Sequence, residues 1–145
     1  MERYIFVCIG TNQLIEDSFG PRVGDILKKN FYKNDNIKVL GTMEKPIHFQ
    51  NAPIFLDYLK KEKSFLIVID SALGKIENIG DTYVNIGGLE IGKAFGKSLY
   101  FPANLSIKTV VGIKGYSGPY EPKDINYLAK RLANKIINNM YEIQK

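Results

Sequence analysis

The chain has 145 residues, of which 45% are hydrophobic, and its formal net charge is +5. This length and composition indicate a single globular domain over residues 1–145 with enough apolar material for a core. No apolar run is long enough to cross a membrane, and the basic residues are spread over several segments, so we expect neither a membrane nor a nucleic-acid partner. The single cysteine, Cys8, cannot form an internal disulfide, which favours a reducing, cytoplasmic location.

Apolar runs alternate with helical patterns along the chain, which predicts βαβ units and a mainly parallel sheet. Helices are predicted from about residue 21, where Pro21 suits the first turn, and over 51–61 and 124–143. The segment 89–105 is left unassigned because Gly92, Gly96 and Pro102 interrupt it. The expected fold is a three-layer α/β/α sandwich. Its predicted strands are 4–9, 37–41, 65–69, 82–86 and 107–113.

Two of the predicted helices have apolar faces that would pack on the sheet. In the second helix these residues are Ile54, Phe55, Tyr58 and Leu59. In the C-terminal helix they are Ile125, Leu128, Leu132, Ile136 and Ile137. The spacing of each set predicts that it forms the buried side of its helix.

Two aspartates follow predicted strands in matching places. Asp17 lies in the loop after the first strand, and Asp70 ends the apolar run 65–69. The carboxyl ends of parallel strands open into the crevice where ligands bind, so neighbouring strands would place both carboxylates in one cleft. Such a pair can share a proton or hold a metal, and either arrangement can activate a water molecule.

Each aspartate also has a purely structural interpretation. Asp17 could cap the helix that follows it, where the helix dipole favours a negative charge. Asp70 could stabilise a turn at Ser71–Gly74. Both interpretations stay open from the local sequence.

The only histidine, His48, lies in the loop after the second strand and could approach the two aspartates. Asp17, His48 and Asp70 would then offer two oxygens and one nitrogen to a divalent metal such as zinc, nickel, manganese or iron. Outside such a site, His48 is an ordinary loop histidine. No other cofactor is predicted.

A glycine-rich segment, Gly92-Lys-Ala-Phe-Gly-Lys-Ser98, superficially resembles a phosphate-binding loop. The P-loop pattern needs four residues between its glycines and a following helix, and this segment has three and leads into Leu99-Tyr-Phe-Pro102. A nucleoside triphosphate site is therefore not predicted. The glycines favour a mobile loop near the cleft, in which Lys93 or Lys97 could bind substrate carbonyl or carboxylate groups.

Four segments in order along the chain closely resemble the YyaC-type sporulation proteins. They are Cys8-Ile-Gly-Thr11, Glu16-Asp-Ser-Phe-Gly-Pro-Arg-Val-Gly24, Gly41-Thr-Met-Glu-Lys-Pro-Ile-His48 and Ile69-Asp-Ser-Ala-Leu-Gly-Lys75. That family in turn resembles the spore germination protease and, more distantly, the hydrogenase-maturation proteases. The resemblance implies a phosphorylase/hydrolase-like α/β fold and a peptidase ancestry.

The resemblance also assigns roles to residues. Asp17 and Asp70 match the acidic pair that forms an aspartic-type dyad in the germination protease and contacts nickel, with a later histidine, in the hydrogenase-maturation proteases. This chain has no histidine after His48, so that metal role does not transfer directly. Thr11 stands where the relatives carry the asparagine of Gly-x-Gly-Asn.

Three functions are therefore compared. The first is a peptidase that cleaves a peptide or protein, such as small spore proteins, in the forespore or mother cell. Asp17 and Asp70 would be its catalytic groups, and Thr11, His48 and Lys93 would bind substrate. The second is a metal-assisted hydrolase that uses Asp17, His48 and Asp70. The third is a non-catalytic protein that binds a peptide or protein partner in the same cleft. No oligomeric state is predicted.

Overall fold

The computed structural model describes residues 2–92 and 96–144. Its strands are β1 (Tyr4–Cys8), β2 (Ile37–Leu40), β3 (Phe65–Gly74), β4 (Thr82–Ile86), β5 (Leu89–Ile91), β6 (Leu99–Phe101) and β7 (Leu105–Ile113). Five of them form the central sheet, in the order β2-β1-β3-β7-β4. The first four of these strands are parallel, and β4 runs antiparallel to β7. The other two, β5 and β6, form a separate antiparallel pair. The helices are α1 (Phe19–Phe31), α2 (Ala52–Leu59) and α3 (Pro122–Ile143), and short 3-10 helices lie at Ile15–Asp17 and Ile76–Asn78.

The sheet is covered on both faces, so each central strand contributes side chains to two cores. Along β1, Phe6 and Cys8 pack in a first core with α1 and α3, while Ile5 and Val7 pack in a second core with α2 and the β5–β6 pair. This alternation follows from the two-residue period of a strand. The structure confirms the predicted α/β fold with a mainly parallel sheet flanked by helices.

Helix α1 lies unusually close to the end of β1. A Cβ atom on Gly20 would collide with the backbone of Ile9, which follows β1. Only glycine lets the two backbones approach this far. Phe19, Val23 and Leu27 fill the core beneath the helix and are fully buried. The close packing fixes the path of the loop that joins β1 to α1.

The predicted inner stripe of α3 is confirmed, since all five of its residues are buried. For α2 the prediction is partly wrong, because Ile54 is 74% exposed and Tyr58 is also exposed. This helix has only eight residues, and Ala52 and Leu59 are the ones it buries. Phe55 and Leu56 pack partly against the second core, so the inward side is rotated away from Ile54 and Tyr58.

The unassigned segment supplies part of the second core. Strands β5 and β6 place Leu89, Ile91 and Phe101 against the sheet, where all three are buried. Each strand has only three residues, too few for a recognisable alternation.

The predicted strand 65–69 is too short, because β3 continues to Gly74 by pairing with β7. Within the described residues, no helix is both long enough and apolar enough to span a bilayer.

Candidate active site

The site lies where the chain connections diverge. From β1 the chain passes through α1 to β2 on one side, and it then returns through α2 to β3 on the other side of β1. Such a switch point leaves a crevice at the carboxyl ends of the two neighbouring strands. Strand β1 ends at Cys8, which is paired with Ile69, so Asp70 is the first β3 residue beyond it.

Asp70 lies inside β3 rather than at its end, which removes the turn interpretation. Its Oδ1 atom accepts a hydrogen bond of 2.7 Å from the Ser71 N–H. The pKa of Asp70 is raised to about 8 as the net result of four causes: burial raises it most, the Ser71 hydrogen bond lowers it, the charge of Asp17 raises it and Lys108 lowers it. This carboxyl group is therefore largely protonated at neutral pH.

Asp17 ends the 3-10 helix that precedes α1, and the N-cap position of α1 belongs to Ser18. Its carbonyl oxygen accepts a 2.9 Å hydrogen bond from the Thr11 N–H, and its carboxylate is hydrogen-bonded to the Thr11 side chain. Burial raises the pKa of Asp17 to about 6; the Thr11 bond lowers it and the charge of Glu16 raises it. Asp17 is thus held by the start of its own loop and is not a helix cap.

Asp17 acts electrostatically on Asp70. Its charge contributes to the raised pKa of Asp70, so the two groups lie within electrostatic range. Their pKa values of about 6 and about 8 leave one proton on the pair at neutral pH. A pair in this state offers one carboxylate that can accept a proton and one carboxyl group that can donate one.

A hydrogen-bond network fixes the 3-10 helix that carries Asp17. The Ser18 hydroxyl is buried, donates to the Ile15 carbonyl at 2.6 Å and accepts from Arg22 Nε at 2.7 Å. Arg22 Nη1 in turn donates to Asn126 Oδ1 of α3 at 2.7 Å. The position of Asp17 therefore depends on contacts from both helices of the first core.

His48 lies in a segment that runs beside the end of β1, where the Gly10 N–H donates to the Ile47 carbonyl at 2.9 Å. Its imidazole turns back on its own loop, since Nδ1 accepts a 3.2 Å hydrogen bond from the Gln50 N–H. Among residues 2–92 and 96–144, no three His, Cys, Asp or Glu side chains are grouped as metal ligands. The predicted ligand set of Asp17, His48 and Asp70 is therefore not assembled.

The predicted substrate-binding residues are placed differently from one another. Thr11 directly contacts Asp17, whereas His48 is engaged within its loop. Lys93 lies outside the described residues.

Sequence reasoning missed Lys108, which pairs with Asp70 on the neighbouring strand β7. Paired residues on adjacent strands share a face of the sheet, so this ammonium group is the nearest cationic neighbour that the sheet gives to Asp70. A signal was present, because Lys108 interrupts an otherwise apolar strand. Burying a charge there is costly without a partner of opposite sign.

A groove of about 400 Å³ lies between the end of β7 and the start of α3. Tyr116, Tyr120 and Asp124 are among its lining residues. Burial and the charge of Glu16 raise the pKa of Tyr120, so the groove is within electrostatic range of the residue preceding Asp17. The groove is large enough for a side chain of a bound peptide, and apart from Ile79 its lining residues lie within the segment 111–128.

Sequence comparison identifies relatives over most of the chain. A family model described as a protein of unknown function, DUF1256, matches residues 1–139. The uncharacterized protein YyaC of Bacillus subtilis is 31% identical over 114 residues, which cover 77% of this chain and 55% of YyaC. The chain therefore spans about half the length of that relative.

Structure comparison finds the same fold in hydrogenase maturation proteases. The chain is similar to the [NiFe] hydrogenase maturation protease HycI from Thermococcus kodakarensis, with a TM-score of 0.58, 19% identity and coverage of 92% of this chain and 89% of HycI. It is also similar to the hydrogenase maturating endopeptidase HybD from E. coli, with a TM-score of 0.52, 10% identity and coverage of 97% and 93%. At these identities the likeness concerns the fold, and function must be argued from the site.

Proposed function

The chain belongs to the DUF1256 family of proteins of unknown function, and we propose that this member is a peptidase whose catalytic groups are Asp17 and Asp70. The observation that carries the proposal is the position of Asp70 at the switch-point crevice, where its carboxyl group is within electrostatic range of Asp17. The fold shared with hydrogenase maturation proteases is consistent with it.

In the proposed reaction the two aspartates act as a base and an acid. Asp17, with the lower pKa, is the carboxylate that takes a proton from a water molecule as the water oxygen attacks the scissile carbonyl. Asp70, with the higher pKa, keeps its proton and donates a hydrogen bond to the carbonyl oxygen. Collapse of the tetrahedral intermediate breaks the C–N bond, and the leaving amine receives a proton from the pair.

Neighbouring residues support these roles. The bond from Thr11 favours the ionised form of Asp17, so Thr11 orients and holds the base. Lys108 lies beside Asp70 on the sheet and would stabilise negative charge that develops on the substrate oxygen. The groove lined by Tyr116 and Tyr120 would hold a side chain next to the cleaved bond.

The substrate is proposed from the resemblance to sporulation proteins. Small spore proteins are the first substrates to test, and the forespore or mother cell is the proposed location. Peptide-bond cleavage by the pair does not depend on that choice, so a mixed peptide pool belongs in the same experiment.

The test compares the wild type with Asp17→Asn and Asp70→Asn on small spore proteins and on the peptide pool, with new termini detected by mass spectrometry. Each variant is expected to lower the cleavage rate by roughly 100-fold or more, because each removes one proton-transfer group. Asp57→Asn, an exposed aspartate of α2, is the matched control and should cleave normally. Equal rates in all four proteins would exclude the pair, and capture of peptides without cleavage would favour a binding protein instead.

The pH dependence gives a second test of the same pair. Cleavage needs Asp17 ionised and Asp70 protonated, so the rate should be highest between the two pKa values of about 6 and about 8. The rate should fall on both sides of this range. A profile that keeps rising above pH 8 would contradict a protonated Asp70 and point to a different acid.

A further inference from the structure

Strand β4 forms one outer edge of the main sheet and is open to solvent along its whole length. All five of its residues are exposed, including Ile86 at 94% and Val84 at 59%. The opposite edge strand, β2, differs, because Ile37 and Val39 are buried and its central exposed residue is a lysine, Lys38. Lysine on an edge strand discourages the approach of another strand.

The outward backbone groups of β4 follow from its pairing with β7. At one end the Val110 N–H donates to the Asp81 carbonyl at 3.0 Å, and at the other the Gly87 N–H donates to the Asn104 carbonyl at 2.9 Å. In an antiparallel pair, bonded and outward positions alternate. Thr82, Val84 and Ile86 therefore direct their N–H and C=O groups away from the sheet.

This edge lacks the features that normally protect one. The segment Thr82-Tyr-Val-Asn-Ile86 contains no charged residue and no proline, and its pairing with β7 is regular from end to end. Such segments pair readily with another strand. Although the protein carries a net charge of +5, the edge itself is neutral and presents no repulsion to a second chain.

We propose that a second copy of this chain binds at this edge, with the two β4 strands antiparallel about a twofold axis at Val84. Every outward N–H of one strand then meets an outward carbonyl of the other. Val84 lies beside Val84 of the other copy, and Ile86 lies beside Thr82. Asp81 falls opposite Gly87, so no like charges meet. The two sheets become one continuous sheet.

The apolar side chains fit this arrangement as well. Val84 pairs with Ile107 of β7, a residue of the first core, so its side chain projects from the same face of the sheet. In the pair of copies, the two Val84 side chains extend that apolar surface across the twofold axis. The second copy thereby removes solvent from Val84 and Ile86, which are 59% and 94% exposed in the single chain.

A substrate peptide is a weaker explanation for the same edge. Strands β7 and β4 separate this edge from β3, which carries Asp70. With strands roughly 4.8 Å apart, a peptide added to β4 would lie about 14 Å from β3. The candidate active site would then be out of reach of its backbone, whereas a second copy leaves the crevice of each chain open.

Sedimentation velocity over a wide concentration range tests the proposal with the wild type, Val84→Lys, Ile86→Lys and the control Ile54→Lys. The control places the same change on an exposed residue of α2, far from β4 in the fold. The wild type and Ile54→Lys should form dimers, and each β4 variant should raise the dimer dissociation constant about tenfold or more. Circular dichroism should show that all four proteins are folded, because every substituted side chain is exposed.

Hydrogen exchange supplies an independent readout. The N–H groups of Thr82, Val84 and Ile86 should become protected as the wild-type concentration rises, while Tyr83 and Asn85, which already bond to β7, should change little. A wild type that stays monomeric would overturn the proposal. So would a dimer that survives Val84→Lys, or one in which these three amides still exchange rapidly. Protection of the same amides by added peptide in a monomeric protein would assign the edge to a different partner.

Discussion

The two aspartates of the candidate site are held by segments that are built in different ways. Asp17 reaches the crevice on a loop that leaves β1, passes through a 3-10 helix and enters α1 against the backbone of Ile9. Asp70 lies within β3, and its backbone position is set by pairing with Lys108 on β7. The first position therefore depends on close packing of a loop, and the second depends on the sheet.

This difference has an electrostatic counterpart. Asp17 keeps a hydrogen bond from the Thr11 side chain, which moderates the effect of burial and leaves its pKa at about 6. Asp70 has a single backbone hydrogen bond and a more strongly raised pKa of about 8. Two chemically identical side chains thus acquire different protonation states because one is held by a polar loop and the other by a largely apolar strand.

The largest expected effect is a loss of stability, and it tests how closely α1 packs on the end of β1. In Gly20→Ala, the new methyl group collides with the Ile9 backbone, which cannot move without displacing β1. We expect the free energy of unfolding to fall by about 3 kcal/mol, measured by urea denaturation, together with loss of any cleavage activity.

The matched control is at Gly74, the last residue of β3. In Gly74→Ala the new Cβ would meet a side-chain atom, Val110 Cγ1, at 3.3 Å, so a small shift relieves the contact. Alanine is also preferred over glycine within a strand, and the net change in the free energy of unfolding should stay below about 1 kcal/mol. Similar losses of unfolding free energy in both variants would show that the ends of β1 and β3 are packed alike.

The sequence was informative where the signal is local. The alternation of apolar residues located the principal strands, and the two aspartates were identified from their place after those strands. Lys108 was missed as a neighbour of Asp70 because the register between β3 and β7 depends on residues far apart in the chain. His48 was placed in the correct neighbourhood, but its ring orientation is set by Gln50 and cannot be read from spacing.

Errors in the predicted core have a similar origin. Ile54 and Tyr58 are apolar or aromatic and have helical spacing, yet they face solvent because the β5–β6 pair fills much of the second core. A short helix offers several apolar sides, and tertiary packing decides which one is buried. The pattern alone could not distinguish between these sides.

The second-largest expected effect is the change in unfolding free energy caused by Asp70→Asn in β3. Because the pKa of Asp70 rises from 3.8 in the unfolded chain to about 8 in the folded protein, the folded state retains a proton that the unfolded state loses. Wild-type stability therefore falls as pH rises from about 4 to about 8. Asp70→Asn removes this penalty and keeps an oxygen for the Ser71 N–H. At pH 8 it should raise the free energy of unfolding by about 2 kcal/mol, less than the full pKa difference gives, because the residue is partly open to solvent.

Urea denaturation of the wild type and Asp70→Asn at a series of pH values measures this gain. The two proteins should have nearly equal stability well below pH 3.8, where the carboxyl group is protonated in both states, and should diverge up to pH 8. Asp57→Asn should follow the wild type throughout. A gain that is already complete at pH 6 would mean that Asp70 titrates like Asp17. The loop and the strand would then not give the two aspartates different pKa values.

The smallest effect concerns the loop-held aspartate and separates the two positions most sharply. The pKa of Asp17 is raised from 3.8 to about 6, so Asp17→Asn should gain stability between about pH 4 and pH 6 and then remain constant until Asp70 ionises near pH 8. The expected gain is about 1 kcal/mol in the free energy of unfolding, since the asparagine oxygen still accepts the Thr11 bond. Above pH 8, where both carboxyl groups of the wild type are ionised, the double variant should gain less than the sum of the single variants, because their mutual repulsion is removed by either substitution. Strictly additive gains at that pH would show that the two carboxyl groups do not interact, and the proton-sharing pair would then be excluded.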